Sequence, residues 1–301
     1  MRAGWGAVLA LAAYLLLAPP VLMFGPLAGL LLLSRPSTPR EWVWLAGAAV
    51  WSAVWLQQSG GLAPQFARAG AVLLTGTFLA LTVWRPSAHF SRALTTTVIA
   101  GAALIVWMWH LDVAWGEIQR AVENNLWAHN RELMMRLGEA ARSRPGAEGL
   151  LAEMSSVVRT TGSFYPALLT LAGLGGLRLA WRWYHRIASH PVGSPPAPFA
   201  AFRFSDQLVW GWVVGLALCL LPSRGVGALI GGNLLLVWAV LYATRGLAVF
   251  SVVSGRVSAP VIATLSLVAM FLLPFVSAGL TLLGLADTWL DFRRRVTTSA
   301  T

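Results

Sequence analysis

No charged residue stands between Arg2 and Arg35, between Arg224 and Arg245, or between Arg256 and Asp287. These gaps are filled mainly by Leu, Val, Ala, Gly and Phe. A helix of ~20 such residues crosses the ~30 Å hydrocarbon layer of a bilayer, and a chain that repeats the pattern has few other ways to fold. Charged residues make up 11% of the 301, against about 25% in a soluble domain. The expected fold is therefore all-α, a polytopic transmembrane helix bundle. Many of the 16 tryptophans fall at the ends of the apolar segments, where an indole favours the headgroup region.

About eight spans are expected. The first, Met1 to Leu33, is a single crossing broken at Pro19 and Pro20. The next three are Trp42 to Leu56, Arg68 to Trp84, and Arg92 to about Leu111, the last with Ser91 as its cap. The fifth is Gly162 to about Trp183, whose far end carries Arg178, Arg182 and Arg186 among aromatic residues as an interfacial anchor. A Pro/Gly/Ser linker follows at His190 to Pro198. The last three are Gln207 to Leu221, capped by Ser205 or Asp206; Val226 to about Val249; and Val257 to Ala286, bent at Pro274.

One long polar stretch, Asp112 to Thr161, interrupts the series and holds seven of the eleven acidic residues. Within it Trp115, Ile118, Val122, Leu126, His129, Leu133, Leu137 and Ala141 recur every three or four residues. That spacing predicts one face of an amphipathic helix. Glu132 and Arg136 are placed for an i,i+4 ion pair. A second short helix is expected from about Ala147 to Arg159. Such helices lie in the interface or pack as a lid. The domain reading is a front helix group (1–111), an amphipathic insert (112–161) and a rear helix group (162–301).

Composition removes several functions. All 22 basic residues are arginine. Without lysine there is no Walker A phosphate loop and no Schiff-base chemistry, so any ATP-driven work belongs to a separate ATPase or coupling subunit. Cys219 is the single cysteine, which leaves no internal disulfide or cysteine-rich metal site. No nucleophile elbow or His-Glu-x-x-His motif occurs. We therefore expect no enzyme activity, no metal and no cofactor. The net charge of +11 comes from arginines scattered at segment ends, where they anchor helices to anionic lipid heads. The bilayer, not nucleic acid, is the expected partner.

Polar groups at membrane depth are costly and so are candidates for function. Asn233 sits mid-segment, and Tyr242 and Arg245 lie nine and twelve residues further on, broadly on one helix face. These three are the candidate ligand-binding residues. For Asn233 the competing reading is an interhelical hydrogen bond, and for Arg245 a side chain that snorkels to the interface. Asp287, Asp291 and Arg295 are read as ion-pairing residues that fix the end of the last helix. His110 and Asp112 read as an interfacial belt, and His129 with Glu132 is too small a set to hold metal. The glycine pairs Gly25/Gly29, Gly211/Gly215 and Gly227/Gly231 allow close helix approach.

The stretch GLADTWLDFRRR, Gly284 to Arg295, resembles the closing signature of the YybS-like family of predicted multi-pass bacterial membrane proteins. The stretch from Gly231 to Phe250 is similar to that family's preceding Asn…Tyr…Gly helix. The resemblance implies a layout similar to the substrate-capturing S components of energy-coupling-factor transporters, and a place in the bacterial cytoplasmic (inner) membrane. The leading expectation is a small-solute-binding transporter component served by a separate ATPase. The alternative is a non-catalytic scaffold or assembly subunit of a membrane complex.

Overall fold

The computed structural model describes residues 5–58, 60–84, 88–132, 135–136, 147–221, 225–254 and 272–292. Among them every regular element is helical. The chain forms two compact units, Met1–Pro196 and Ala197–Thr301. The boundary falls inside the Pro/Gly/Ser linker.

The first unit contains α1 (Trp5–Leu17), α2 (Val21–Leu33), α3 (Pro39–Gln57), α4 (Leu62–Trp84), α5 (His89–His110), α6 (Trp115–His129), α7 (Ala147–Ser163) and α8 (Tyr165–Ile187). α2 is its centre and packs against α3, α4 and α8. It is apolar on every side, and such a helix is stable only when surrounded. Met23, Leu27, Leu30 and Leu31 are fully buried. Pro26 lies inside it and has no N–H for the Leu22 carbonyl four residues back. That carbonyl faces Gly176 of α8, where an added Cβ would lie 2.5 Å from it. The break before α2 falls at Pro19 and Pro20, as expected. α1 touches α8 rather than folding back along α2, and the Tyr14 hydroxyl donates to the Ala172 carbonyl at 3.0 Å.

Several starts differ from the sequence expectation: α3 begins at Pro39 rather than Trp42, and α8 at Tyr165 rather than Gly162. α4 begins at Leu62, ahead of Arg68, with Pro64 in its first turn, where a missing N–H costs little. α5 begins after Ala88, which supplies no capping side chain, so Ser91 lies inside the helix. α6 ends at His129, where the Asn130 side chain donates to the Leu126 carbonyl at 2.9 Å. It buries Ile118 and Val122 against Ala63, Phe66 and Leu104, with Glu117, Arg120 and Asn124 turned outward. Leu133, Leu137 and Ala141, the rest of the expected stripe, lie outside the described residues. The Glu132–Arg136 pair forms at 2.5 Å but is exposed, so it contributes little.

The second unit contains two 3-10 turns (Phe199–Ala201 and Asp206–Leu208), α9 (Val209–Leu220), α10 (Val226–Ser254) and α11 (Leu273–Leu290). α10 packs α9 on one flank and α11 on another. Gly211 and Gly215 of α9 receive Trp238 and Leu235 of α10, and Gly231 meets the Gly215 carbonyl. α11 starts with Pro274 in its first turn. The start of the expected last span, up to 271, lies outside the described residues.

Among the described residues, four helices are long and apolar enough to cross a membrane: α4, α5, Val226–Val252 of α10, and α11. α2 and the Asp206–Leu220 stretch are apolar but shorter. α3 and α8 have the length, 19 and 23 residues. Their charges lower their hydropathy: Arg40 and Glu41 in α3, and Arg178, Arg182 and Arg186 in α8. Val98, Ile99, Ile105 and Val106 of α5 face outward. Such a row is a liability in water and normal against lipid.

One polar knot ties the start of α3 to the end of α8. Thr38 caps α3 and forms a capping box with Glu41. The Glu41 carboxylate is 1% exposed. It accepts from the Ser37 and Thr38 amides at 2.8 Å each, and from the Ser189 amide and hydroxyl at 2.6 and 2.8 Å. The Ser189 amide first, and then that of Thr38, hold its carboxyl well below the usual carboxylate range. Glu41→Gln is expected to lower the melting temperature in detergent by roughly 5 °C or more. The knot contributes fully above the unfolded-state pKa of about 4.3 and is lost as the pH falls through the depressed folded value. Wild-type stability should therefore fall on acidification below about pH 4, and a Glu41→Gln melting curve should lack that part of the fall.

Candidate functional site

The residues nominated from sequence gather inside the second unit. Arg245 is fully buried. Its Nε donates to Asp287 Oδ2 at 3.0 Å, its Nη2 to the Asp287 carbonyl at 3.2 Å, and its Nη1 to Asp206 Oδ1 at 3.0 Å. The Phe204 ring covers the guanidinium at 5.3 Å. The snorkelling alternative for Arg245 is thus replaced by burial: two carboxylates reach it inside the unit, so it has no need of the interface. Asp287 is an ion-pairing residue, and its partner comes from α10. Asp291 ends α11 in the left-handed region and pairs with Arg203 at 3.5 Å. Arg295 lies outside the described residues.

Tyr242 is fully buried among Phe204, Trp212 and Trp238, with ring centroids at 5.1, 6.1 and 6.4 Å. Asn233 is 9% exposed and donates to the Leu229 carbonyl of its own helix at 2.9 Å. All three candidate ligand residues are buried, but they do not share one helix face as the sequence reading expected: nine residues at about 100° each set Asn233 on the side of α10 opposite Tyr242. Arg245 is committed to carboxylates of its own unit.

A cavity of about 570 Å³ opens in the first unit. That is within the range of small-molecule sites. The end of α3, the start of α4 and the Pro19 break form its walls, and α6 closes one side. Trp55, Val122 and Leu126 supply apolar surface, while Gln58, Arg68, Asn125, His129 and Tyr165 supply polar groups. No carboxylate lines it among the described residues. Arg68 Nε donates to the Pro64 carbonyl at 3.2 Å, and Nη1 donates to Leu56 at 3.2 Å and to Gln58. A cation over the last carbonyls of α3 is favoured by the helix dipole, and these bonds hold the guanidinium at the cavity wall. The arrangement can stack a flat apolar body on Trp55 and hydrogen-bond a polar head.

Sequence reading took Arg68 as a span end and passed over Asn125. A signal was present. Val122, Asn125, Leu126 and His129 share one face of α6 at i, i+3, i+4 and i+7, so a polar residue sat within the inward stripe.

The helical architecture, the four membrane-grade helices and the outward apolar faces define a helical integral membrane protein in contact with lipid. The model of the family described as "Predicted membrane protein (DUF2232)" matches residues 7–288, and the chain belongs to that family. No curated protein and no solved structure matches it.

Proposed function

We propose that this chain is a solute-binding component of a membrane transporter, holding a small molecule in the cavity beneath α6. The observation that carries the reading is the cavity itself: 570 Å³, an aromatic wall, and polar groups converging from α3, α4, α6 and α8. The resemblance to the YybS-like family and, through it, to S components supports the same role. So does the absence of lysine, which leaves ATP hydrolysis to a partner chain. On this reading the protein binds and does not catalyse, and it sits in a bacterial cytoplasmic membrane. α3, α8, α9 and the broken α1–α2 pair join the four longer helices as crossings, giving eight.

Gly61 lines the cavity, and a Cβ added there meets no atom within 4 Å. Gly61→Trp therefore fills the space without a backbone clash. The test is mass spectrometry of small molecules extracted from the full-length protein, purified in mild detergent from its own membranes. Wild type is expected to carry one compound near stoichiometry, and Gly61→Trp at least ~10-fold less, the loss of ~1.4 kcal/mol of binding. A stable set of membrane partners with no such compound would replace this reading by the scaffold.

A further inference from the structure

We infer that the amino end of α5 is an oxyanion site built around Arg92, the oxyanion being a phosphate. Arg92 lies in the first turn of α5 and is only 4% exposed. Its guanidinium lies over the Trp181 ring at 4.4 Å and near Phe78 at 5.1 Å. Its Nε and Nη2 have no hydrogen-bond partner. No ion pair to Arg92 occurs among the described residues. A buried cation normally has a carboxylate, as Arg245 does, because desolvation without compensation is costly. Cation–π contact offsets part of that cost but leaves the N–H groups unused.

The charged neighbours of His89, three residues before Arg92, are Arg92, Arg178 and His185, all basic. His89 Nε2 lies 3.4 Å from the Leu177 carbonyl, which fixes the ring against α8. Glu41, the buried carboxylate at the start of α3, is already occupied by Ser37, Thr38 and Ser189. Two more buried polar atoms, Trp181 Nε1 and Thr96 Oγ1, lack partners. Ala88 gives α5 no side-chain cap, so the positive pole of a 22-residue helix points at the same place. A helix amino end with a guanidinium beside it is the chemistry that takes a phosphate. The phosphate belongs either to an anionic lipid headgroup or to a free phosphate-bearing solute. The site is separate from the cavity under α6.

The experiment measures melting of the full-length protein in neutral detergent. Additions are phosphatidylglycerol, phosphatidylcholine, or millimolar inorganic phosphate. Variants are Arg92→Met, Arg92→Lys and, as a control for general attraction, the exposed Arg186→Gln. Wild type and Arg186→Gln are expected to gain at least ~3 °C with the phosphate source. Arg92→Lys should gain less, and Arg92→Met nothing. A gain with phosphatidylglycerol but not phosphatidylcholine assigns the site to a lipid, and a gain with inorganic phosphate alone assigns it to a solute. Without ligand, Arg92→Met should melt no lower than wild type, because it removes an uncompensated cation. No gain in wild type, or an equal gain in Arg92→Met, overturns the proposal. If Arg92→Met does not fold, the wild-type and Arg92→Lys arms still decide.

Discussion

Asp287→Ala is expected to destabilise the second unit by about 3–5 kcal/mol, the usual cost of stranding one member of a buried ion pair. Both partners are fully buried at the side-chain level, and Arg245 Nε meets Asp287 Oδ2 at 3.0 Å. Removing the carboxylate leaves a guanidinium with one remaining acidic partner, Asp206, whose side chain is 56% exposed. Asp206→Ala should therefore cost far less, about 0–1 kcal/mol, since water already screens that pair. The pair need not favour stability overall. Arg245→Met with Asp287→Leu replaces it by apolar groups, and such swaps are often neutral or better. The order of stability should be wild type and double variant together, Asp206→Ala slightly below, and Asp287→Ala far below. Denaturant or heat unfolding in detergent reads that order. A loss under 1 kcal/mol for Asp287→Ala would show that Arg245 reaches another acceptor.

That ion pair also shows what sequence reading can and cannot reach. The cost of Arg245 and Asp287 at membrane depth marked both as significant, and their chemistry made pairing natural. Local spacing pointed Asp291 to Arg295, whereas the observed partner of Asp287 comes from a helix about forty residues earlier. Sequence spacing carries no information on which helices cross. The same limit applies to Arg92, which read as the start of a span. Its burial follows from Trp181 and Phe78 closing over it, and those contacts come from α8 and α4. The helices themselves were legible because membrane-grade apolar runs are continuous and charges bound them. The starts of α4 and α5 were less so. Pro64 looks like a breaker in sequence but is tolerated in a first turn, and Ser91 looks like a cap while Ala88 holds the position. The Thr38–Glu41 capping box was readable as Thr-Pro-Arg-Glu and went unused. The cavity was legible only as a polar residue within the inward face of α6.

The crossing of α10 and α11 carries the second large effect. Gly284→Ala should destabilise by about 1–3 kcal/mol or more, and Gly279→Ala on the same helix should be neutral or stabilise by up to ~1 kcal/mol. A Cβ at Gly284 would stand 2.0 Å from the Tyr242 carbonyl oxygen, and one at Gly246 would stand 1.9 Å from that of Leu280. These obstacles are backbone, so no rotamer change relieves them and the helices must part. At Gly279 a Cβ meets nothing within 4 Å, and only the helix preference for alanine remains. Gly246 adjoins Arg245, and Gly284 is three residues from Asp287. Separating the helices therefore also lengthens the ion pair. Gly284→Ala and Asp287→Ala should consequently combine to less than the sum of their separate costs, because each already loosens what the other removes. Strict additivity would mean that the crossing and the ion pair are independent. The sign difference between Gly284→Ala and Gly279→Ala tests the crossing alone. If both variants melt with wild type, α10 and α11 do not meet at these glycines.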